Sequence, residues 1–186
     1  MRRVVGRVVM VVIILVAAAG VSRALGNEPA LNETQVKSLF LINFAKYVDW
    51  PPVAFDGAAA PIVIGLWKDD KFSEVLGQTV ERKHVGGRRI VFRLIAAGDD
   101  TANCHILFIR DAQKTRLGEI LGKTQGLPVL TVGEMDQFLE SGGVINFVKK
   151  EGKVRLEINL AAARQAGLGL SSKLLSVADV VIGKAN

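Results

Sequence analysis

Ile62-Val63-Ile64-Gly65-Leu66 is a short, uninterrupted apolar run. A strand buried on both faces reads this way, because neither side of its pleat needs a polar residue. Working outward, the same signal recurs at residues 106–109 and 127–132, and residues 89–95 read as a strand after the Gly86-Gly87 turn. Helical patterns lie between them. One runs to about Val80, with Asp69 or Asp70 as its cap; a second covers 112–121. A short helix is expected at 134–139. Alternating strands and helices predict a mostly parallel central sheet with helices on both faces, a three-layer α/β sandwich. Residues 144–148 and 154–160 flank Glu151-Gly152 and predict a C-terminal antiparallel hairpin. A helix at 161–166 ends at Gly167, and Ser171 or Ser172 caps a last one to about Val181.

Before the first strand, Asn32 and Gln35 have capping-box spacing. Val36, Leu39, Phe40, Phe44 and Tyr47 then follow a helical period, until Pro51-Pro52 stops the helix. Residues 53–60 read as a loop. Further upstream, Arg2, Arg3 and Arg7 precede an uncharged run over residues 8–22, followed by Ala24 and Gly26. This basic, apolar, small-residue order predicts a signal peptide over 1–26, cleaved after Ala24 or Gly26. The run is shorter than the roughly 20 residues of a spanning helix, which disfavours an uncleaved anchor. A short linker then leads into one α/β domain within 27–186. Export places that domain where no ATP pool exists, which demotes kinases and phospho-acceptors.

The charge balance narrows the function further. Of 24 Lys and Arg against 18 Asp and Glu, four basic residues sit in the acid-free leader, so the mature chain carries +2. No nucleic-acid partner is expected from that balance. Lys149, Lys150 and Lys153 cluster around the expected hairpin turn and read as a solvated end. One cysteine, Cys104, excludes an intrachain disulfide and is expected to be buried beside a strand. His84 and His105 are far apart, and no tight His, Cys, Asp and Glu cluster predicts a metal or cofactor. Asp69, Asp70 and Asp111 follow parallel strands, where α/β folds place their sites, yet each fits a helix start. Ser171 and Ser172 lie outside any nucleophile-elbow pattern.

Polar residues inside apolar patterns are the remaining candidates. Asn43 falls within the first helical stripe, where a buried amide would need partners. Tyr47 and Trp50 end that helix and suit either an interface or a pin to the core. In the hairpin, Arg155, Glu157 and Asn159 alternate away from Val154, Leu156, Ile158 and Leu160, and Asn146 is expected to join the polar side. That side is either a half-solvated sheet face or a binding surface. With the backbone amides after Ser171 and Ser172 as an anion cradle, these residues form the candidate binding set.

Five blocks taken together point to a family. They are Phe40-Leu41-Ile42-Asn43-Phe44-Ala45-Lys46-Tyr47-Val48-Asp49-Trp50-Pro51, Cys104-His105-Ile106-Leu107-Phe108-Ile109, Pro128-Val129-Leu130-Thr131-Val132, Gly142-Gly143-Val144-Ile145-Asn146, and Val154-Arg155-Leu156-Glu157-Ile158-Asn159-Leu160 continuing to Leu175. Over residues 34–181 the chain resembles the YfiR-like family of exported proteins. The resemblance implies a periplasmic, non-enzymatic α/β domain without a cofactor. It implies as partner an inner-membrane sensor, a diguanylate cyclase or a sensor kinase, whose repression lowers cyclic-di-GMP and biofilm formation. A homodimer is left open. The characterised relative senses redox through two disulfides, whereas this chain has Cys104 alone. The rival expectation is a periplasmic module that reports an aromatic or nucleotide-like ligand.

Overall fold

The computed structural model describes residues 31–67, 70–96, 99, 101 and 103–183. The signal-peptide reading of 1–26, the linker to residue 30 and the capping side chains of Asp69 and Asp70 lie outside what is described. Helix α1 (Glu33–Tyr47) opens on the expected capping box: Asn32 Oδ1 accepts from the Gln35 N–H and Gln35 Oε1 accepts from the Asn32 N–H, each at 2.9 Å. After β1 (Val48–Asp49), Pro51 and a 3₁₀ turn over Pro52–Ala54 redirect the chain into β2 (Ile62–Trp67). There follow α2 (Asp70–Val80), β3 (His84–Val85), β4 (Arg88–Ile95) and β5 (Ile106–Ile109). A 3₁₀ segment (Asp111–Arg116) leads into α3 (Leu117–Thr124) and β6 (Leu130–Gly133). The rest is β7 (Ile145–Lys150), β8 (Lys153–Asn159), α4 (Leu160–Gln165), β9 (Gly169–Leu170), α5 (Ser172–Ser176) and β10 (Val180–Ile182).

Eight strands form one sheet in the order β10-β8-β7-β6-β5-β2-β4-β3. The neighbours from β4 through β7 are all parallel, as are β8 and β10. The antiparallel pairs are β7 with β8 and the short β3 with β4. Glu151 and Gly152 turn the β7–β8 hairpin with φ of 51° and 73°, the left-handed pair that a two-residue connection requires. β1 and β9 make a separate two-stranded antiparallel ladder. The architecture is therefore a mixed α/β sandwich with a mostly parallel sheet.

The two faces carry separate cores. On one, α1, α2, α4 and α5 cover Ile64, Phe108, Val132, Phe147 and Leu156. Phe40, Phe44, Phe147, Phe108 and Phe72 form a chain of ring contacts with centroids 5.0–6.1 Å apart. On the other face, α3 and residues 134–143 cover Leu107, Ile109, Val129 and Ile95.

Three expectations are corrected. The buried face of α1 is Lys37, Ser38, Leu41, Phe44 and Ala45, so Leu39 and Asn43 point outward and Asn43 is exposed. Residues 134–139 form turns instead of a helix, because the Asn146 side chain takes both the N–H and the C=O of Met135 and Gln137 has φ of 59°. The last helix stops at Ser176. Beyond it the Asp179 N–H donates to the Leu156 carbonyl, and Val180, Val181 and Ile182, whose branched side chains favour strands, run parallel to β8 as β10.

Candidate functional site

Strand alternation divides β8 and β10 between the two faces. Val154, Leu156, Ile158 and Val181 turn to the α1 side. Arg155 and Glu157 turn the other way, with Val180 paired opposite Glu157 and Ile182 opposite Asn159. Among the described residues this second face is left open: Val180 and Ile182 are exposed, as is Val177 just before them. Charged groups border Val180, which pairs with Glu157 and follows Asp179 in the chain. Lys150 Nζ lies 3.3 Å from Glu157 Oε1 and 3.7 Å from Asp179 Oδ2, and Arg155 Nε lies 3.9 Å from Asp179 Oδ1. Exposed pairs of this kind contribute little to stability. An apolar centre inside a polar, half-solvated rim is the anatomy of a protein docking surface.

Of the sequence candidates, Arg155 and Glu157 share this surface. Asn159 and Asn146 lie on the same face but are committed internally. Asn159 Oδ1 caps α4 through the Ala162 N–H at 3.0 Å, while Nδ2 donates to the Leu139 carbonyl at 3.0 Å. Asn146, expected on a polar surface, is 4% exposed and holds Met135 in both directions. The residues 134–143 cover it, which pattern alone did not reveal.

Tyr47, Trp50, Ser171 and Ser172 gather near the end of α1, joined by β1–β9. The Ser171 N–H donates to the Tyr47 carbonyl at 3.0 Å, and Ser171 Oγ caps α5 through the Leu174 N–H at 3.2 Å. Ser172 is exposed as the first residue of that five-residue helix. Lys46 and Lys173 sit over the Tyr47 ring at 5.5 and 5.3 Å. Trp50 is half-buried, with its Nε1 donating to the His105 carbonyl at 3.3 Å. Asn43 makes no part of this arrangement beyond sharing the exposed side of α1.

His105 was not among the candidates, and it organises the N-terminal end of β5. Its Nδ1 accepts from the Val63 N–H at 3.2 Å, which places the proton of the neutral ring on Nε2. Phe55 stacks on the imidazole at 4.5 Å, and the Arg88 guanidinium lies 3.8 Å over Phe55. Burial holds the His105 pKa below its usual 6.5, with the Arg88 charge adding to the effect and the Ala54 carbonyl opposing it. A cavity of about 330 Å³ opens beside it, lined by Ala54, Pro61, Val63, Leu127 and Pro128 among others.

The opposite end of the sheet holds a chain of charges. Glu134, with a side chain 8% exposed, binds Lys37 Nζ at 2.8 Å and Arg110 Nε at 2.7 Å. Lys37 also meets Glu33, which in turn meets Lys149 at 3.1 Å. Those hydrogen bonds, with Lys37 first and Lys149 second, hold the Glu33 pKa below 4.5. The Arg110 guanidinium lies 5.1 Å over Phe72, bridging β5 to α2. Carboxyl ends of parallel strands are where α/β sheets bind ligands. Among the described residues at that end, Glu134, Arg110, Lys37 and Glu33 are paired with one another. Among the described residues, no group of three or more His, Cys, Asp and Glu side chains is arranged to hold a metal. Cys104 is a buried free thiol, with an Arg93 guanidinium nitrogen 3.4 Å from its Sγ.

The fold is that of a mixed α/β domain with a mostly parallel sheet. The family model described as YfiR/HmsC-like matches residues 34–179, and the chain belongs to that family. Its members are periplasmic and regulatory rather than catalytic. A solved structure, a conserved domain protein from Vibrio cholerae, superposes with a TM-score of 0.55 at 12% identity. The match covers 81% of this chain and 60% of that one, so it shows the fold alone. No curated protein matches the sequence. No helix among the described residues is long and apolar enough to cross a membrane.

Proposed function

We propose that this protein is exported by its N-terminal leader and, in the periplasm, represses an inner-membrane sensor, a diguanylate cyclase, lowering cyclic-di-GMP signalling and biofilm formation. The observation that supports this reading is the family match over residues 34–179. The open face around Val177, Val180 and Ile182, rimmed by Arg155, Glu157 and Asp179, is the surface offered to the sensor. Repression works by differential binding: the protein shifts the sensor only as far as it prefers the inactive conformation. Moving a sensor from 99% active to 99% inactive takes a preference of about 5.5 kcal/mol. Deleting the gene raises cellular cyclic-di-GMP, and deleting the sensor gene as well cancels the rise. Unchanged nucleotide levels across growth conditions overturn the cyclase assignment.

The cavity beside His105 supports a second reading, a module that reports an aromatic or nucleotide-like small molecule. Native mass spectrometry of the purified protein tests it. A stoichiometric adduct lost on denaturation supports the module, and a bare mass opposes it.

A further inference from the structure

β2 pairs with β4 from Ile90 to Ile95 on its inner side, but the outer side is covered only in part. There β3 pairs with Arg88 and Arg89, and the Ile90 N–H donates to the Lys83 carbonyl at 3.0 Å. At the other end the Ala96 N–H donates to Asp99 Oδ2 at 2.8 Å, and the Asp99 N–H returns to the Ala96 carbonyl at 3.2 Å, which ends the strand in a turn. Backbone groups along a strand face its two sides alternately, so Phe92 and Leu94 share the outward direction of Ile90. Among the described residues, no strand meets them. The side chains are apolar: Leu94 is 44% exposed, and Phe92 packs against the α2 side of the sheet. A groove of about 530 Å³ runs beside Phe92, lined in part by Val80 and Ile90. An open apolar edge of this kind is a template for another strand.

The two bracketing turns make this edge complementary to itself. An antiparallel pair about Arg93 joins Phe92 to Leu94 and Leu94 to Phe92 as hydrogen-bonded pairs, and sets Val91 opposite Ile95. A pair about Phe92 needs the Ile90 amide, which Lys83 holds, and a pair about Leu94 needs the Ala96 amide, which Asp99 holds. We infer that residues 91–95 of β4 join the same residues of a second copy, antiparallel about Arg93, so that two sheets continue as one across a two-fold axis. The cross-strand neighbours are then apolar, and each exposed Leu94 lies beside the other copy's Phe92 at the groove. Arg93 meets itself at the axis, but its guanidinium is drawn inward to within 3.4 Å of Cys104 Sγ, which rests on Gly65 of β2. The two Arg89 side chains stand at opposite ends of the ladder, roughly 26 Å apart at about 3.3 Å per residue, beyond the ~8 Å Debye length. Each end instead brings the exposed Asp99 of one copy beside the exposed Lys83 and Arg89 of the other. The dimer does not depend on the sensor reading, and its test uses the purified protein alone.

Sedimentation equilibrium from micromolar to submillimolar protein measures the association, and residue-resolved amide exchange at both ends of that range locates it. A reversible monomer–dimer equilibrium, with the Phe92 and Leu94 amides slowing as the dimer fraction rises, supports the proposal. Leu94→Asp, at an exposed position, should weaken dimerisation by about thirtyfold through two carboxylates set against apolar neighbours. The exchange pattern of the unmodified chain carries the test if that variant misfolds. A monomer at every concentration overturns the proposal, whether the Phe92 and Leu94 amides exchange fast or are held slow within one chain. A dimer that survives Leu94→Asp and dissociates with Val180→Asp overturns it in favour of the β8–β10 face.

Discussion

Trp50 and Asn43 sit seven residues apart on one segment and do opposite work. Trp50 is tied to the His105 carbonyl and meets its ring edge-on at 6.1 Å, so it pins the end of α1 to the start of β5. Trp50→Ala is expected to cost about 3 kcal/mol in chemical denaturation, the range of aromatic truncation in a core. Asn43→Ala, at an exposed position, should change stability by no more than about 0.5 kcal/mol. An unchanged Trp50→Ala stability with lost sensor binding would move Trp50 to the interface instead. His105 gives a pH signature. Its folded pKa lies below the unfolded 6.5, so the unfolded chain binds the proton more readily. Its contribution to stability is complete above pH 6.5 and declines as pH falls from 6.5 towards the lowered value. Urea titrations at pH 7.5 and 5.5 should show the drop. His105→Asn, which keeps an acceptor for the Val63 N–H, should flatten it over that interval. Glu33, with a pKa held below 4.5, acts only further into acid.

At the scale of elements, the turn segment 134–143 behaves as a wedge. Phe138 is fully buried between Gly133 and Gly143, where an added Cβ would collide with its ring. Gly143→Ala should therefore destabilise by about 1–3 kcal/mol through overpacking. Combining it with Phe138→Leu, which shrinks the ring, should recover part of that loss in a double-mutant cycle, and strict additivity would disprove the contact. Sequence pattern resolved some elements and not others for a physical reason. Capping by Asn32 and Ser171, the Glu151-Gly152 turn and the buried strands are set by neighbouring residues, and all were legible. The face of α1 was legible in part: Phe40, Phe44 and Tyr47 pack on the core as their spacing indicates, whereas Lys37 is buried against Glu134, 97 positions away, and a lysine in a stripe reads as solvent-facing. Residues 134–139 likewise have helical spacing, but Asn146 claims the Met135 backbone from another strand. Of the candidate site, the alternation of Arg155 and Glu157 was legible. The apolar half contributed by β10 was not, since Val180 and Val181 fall in a stretch whose spacing reads as the end of a helix.

The whole molecule places its two sheet ends and two edges under different constraints. The parallel strands run β4-β2-β5-β6-β7, so the chain reverses direction across the sheet between β2 and β5, the point where doubly wound folds take ligands. Arg110 over Phe72 and Glu134 between Arg110 and Lys37 satisfy the charges at that end. Among the described residues, the β8–β10 face with exposed Val180 and Ile182 is the apolar surface left for recognition. Val180→Asp and Arg155→Glu test this surface together. Both residues lie outside the two buried cores, so each variant should stay within about 0.5 kcal/mol of wild type, roughly 1–2 °C in Tm for a chain of this size. In cells each should raise cyclic-di-GMP towards the deletion level, Val180→Asp by placing an unpaired charge in the apolar centre and Arg155→Glu by reversing the rim beside Asp179. Repression retained by both folded variants would exclude this face, and the sensor would then have to engage another surface.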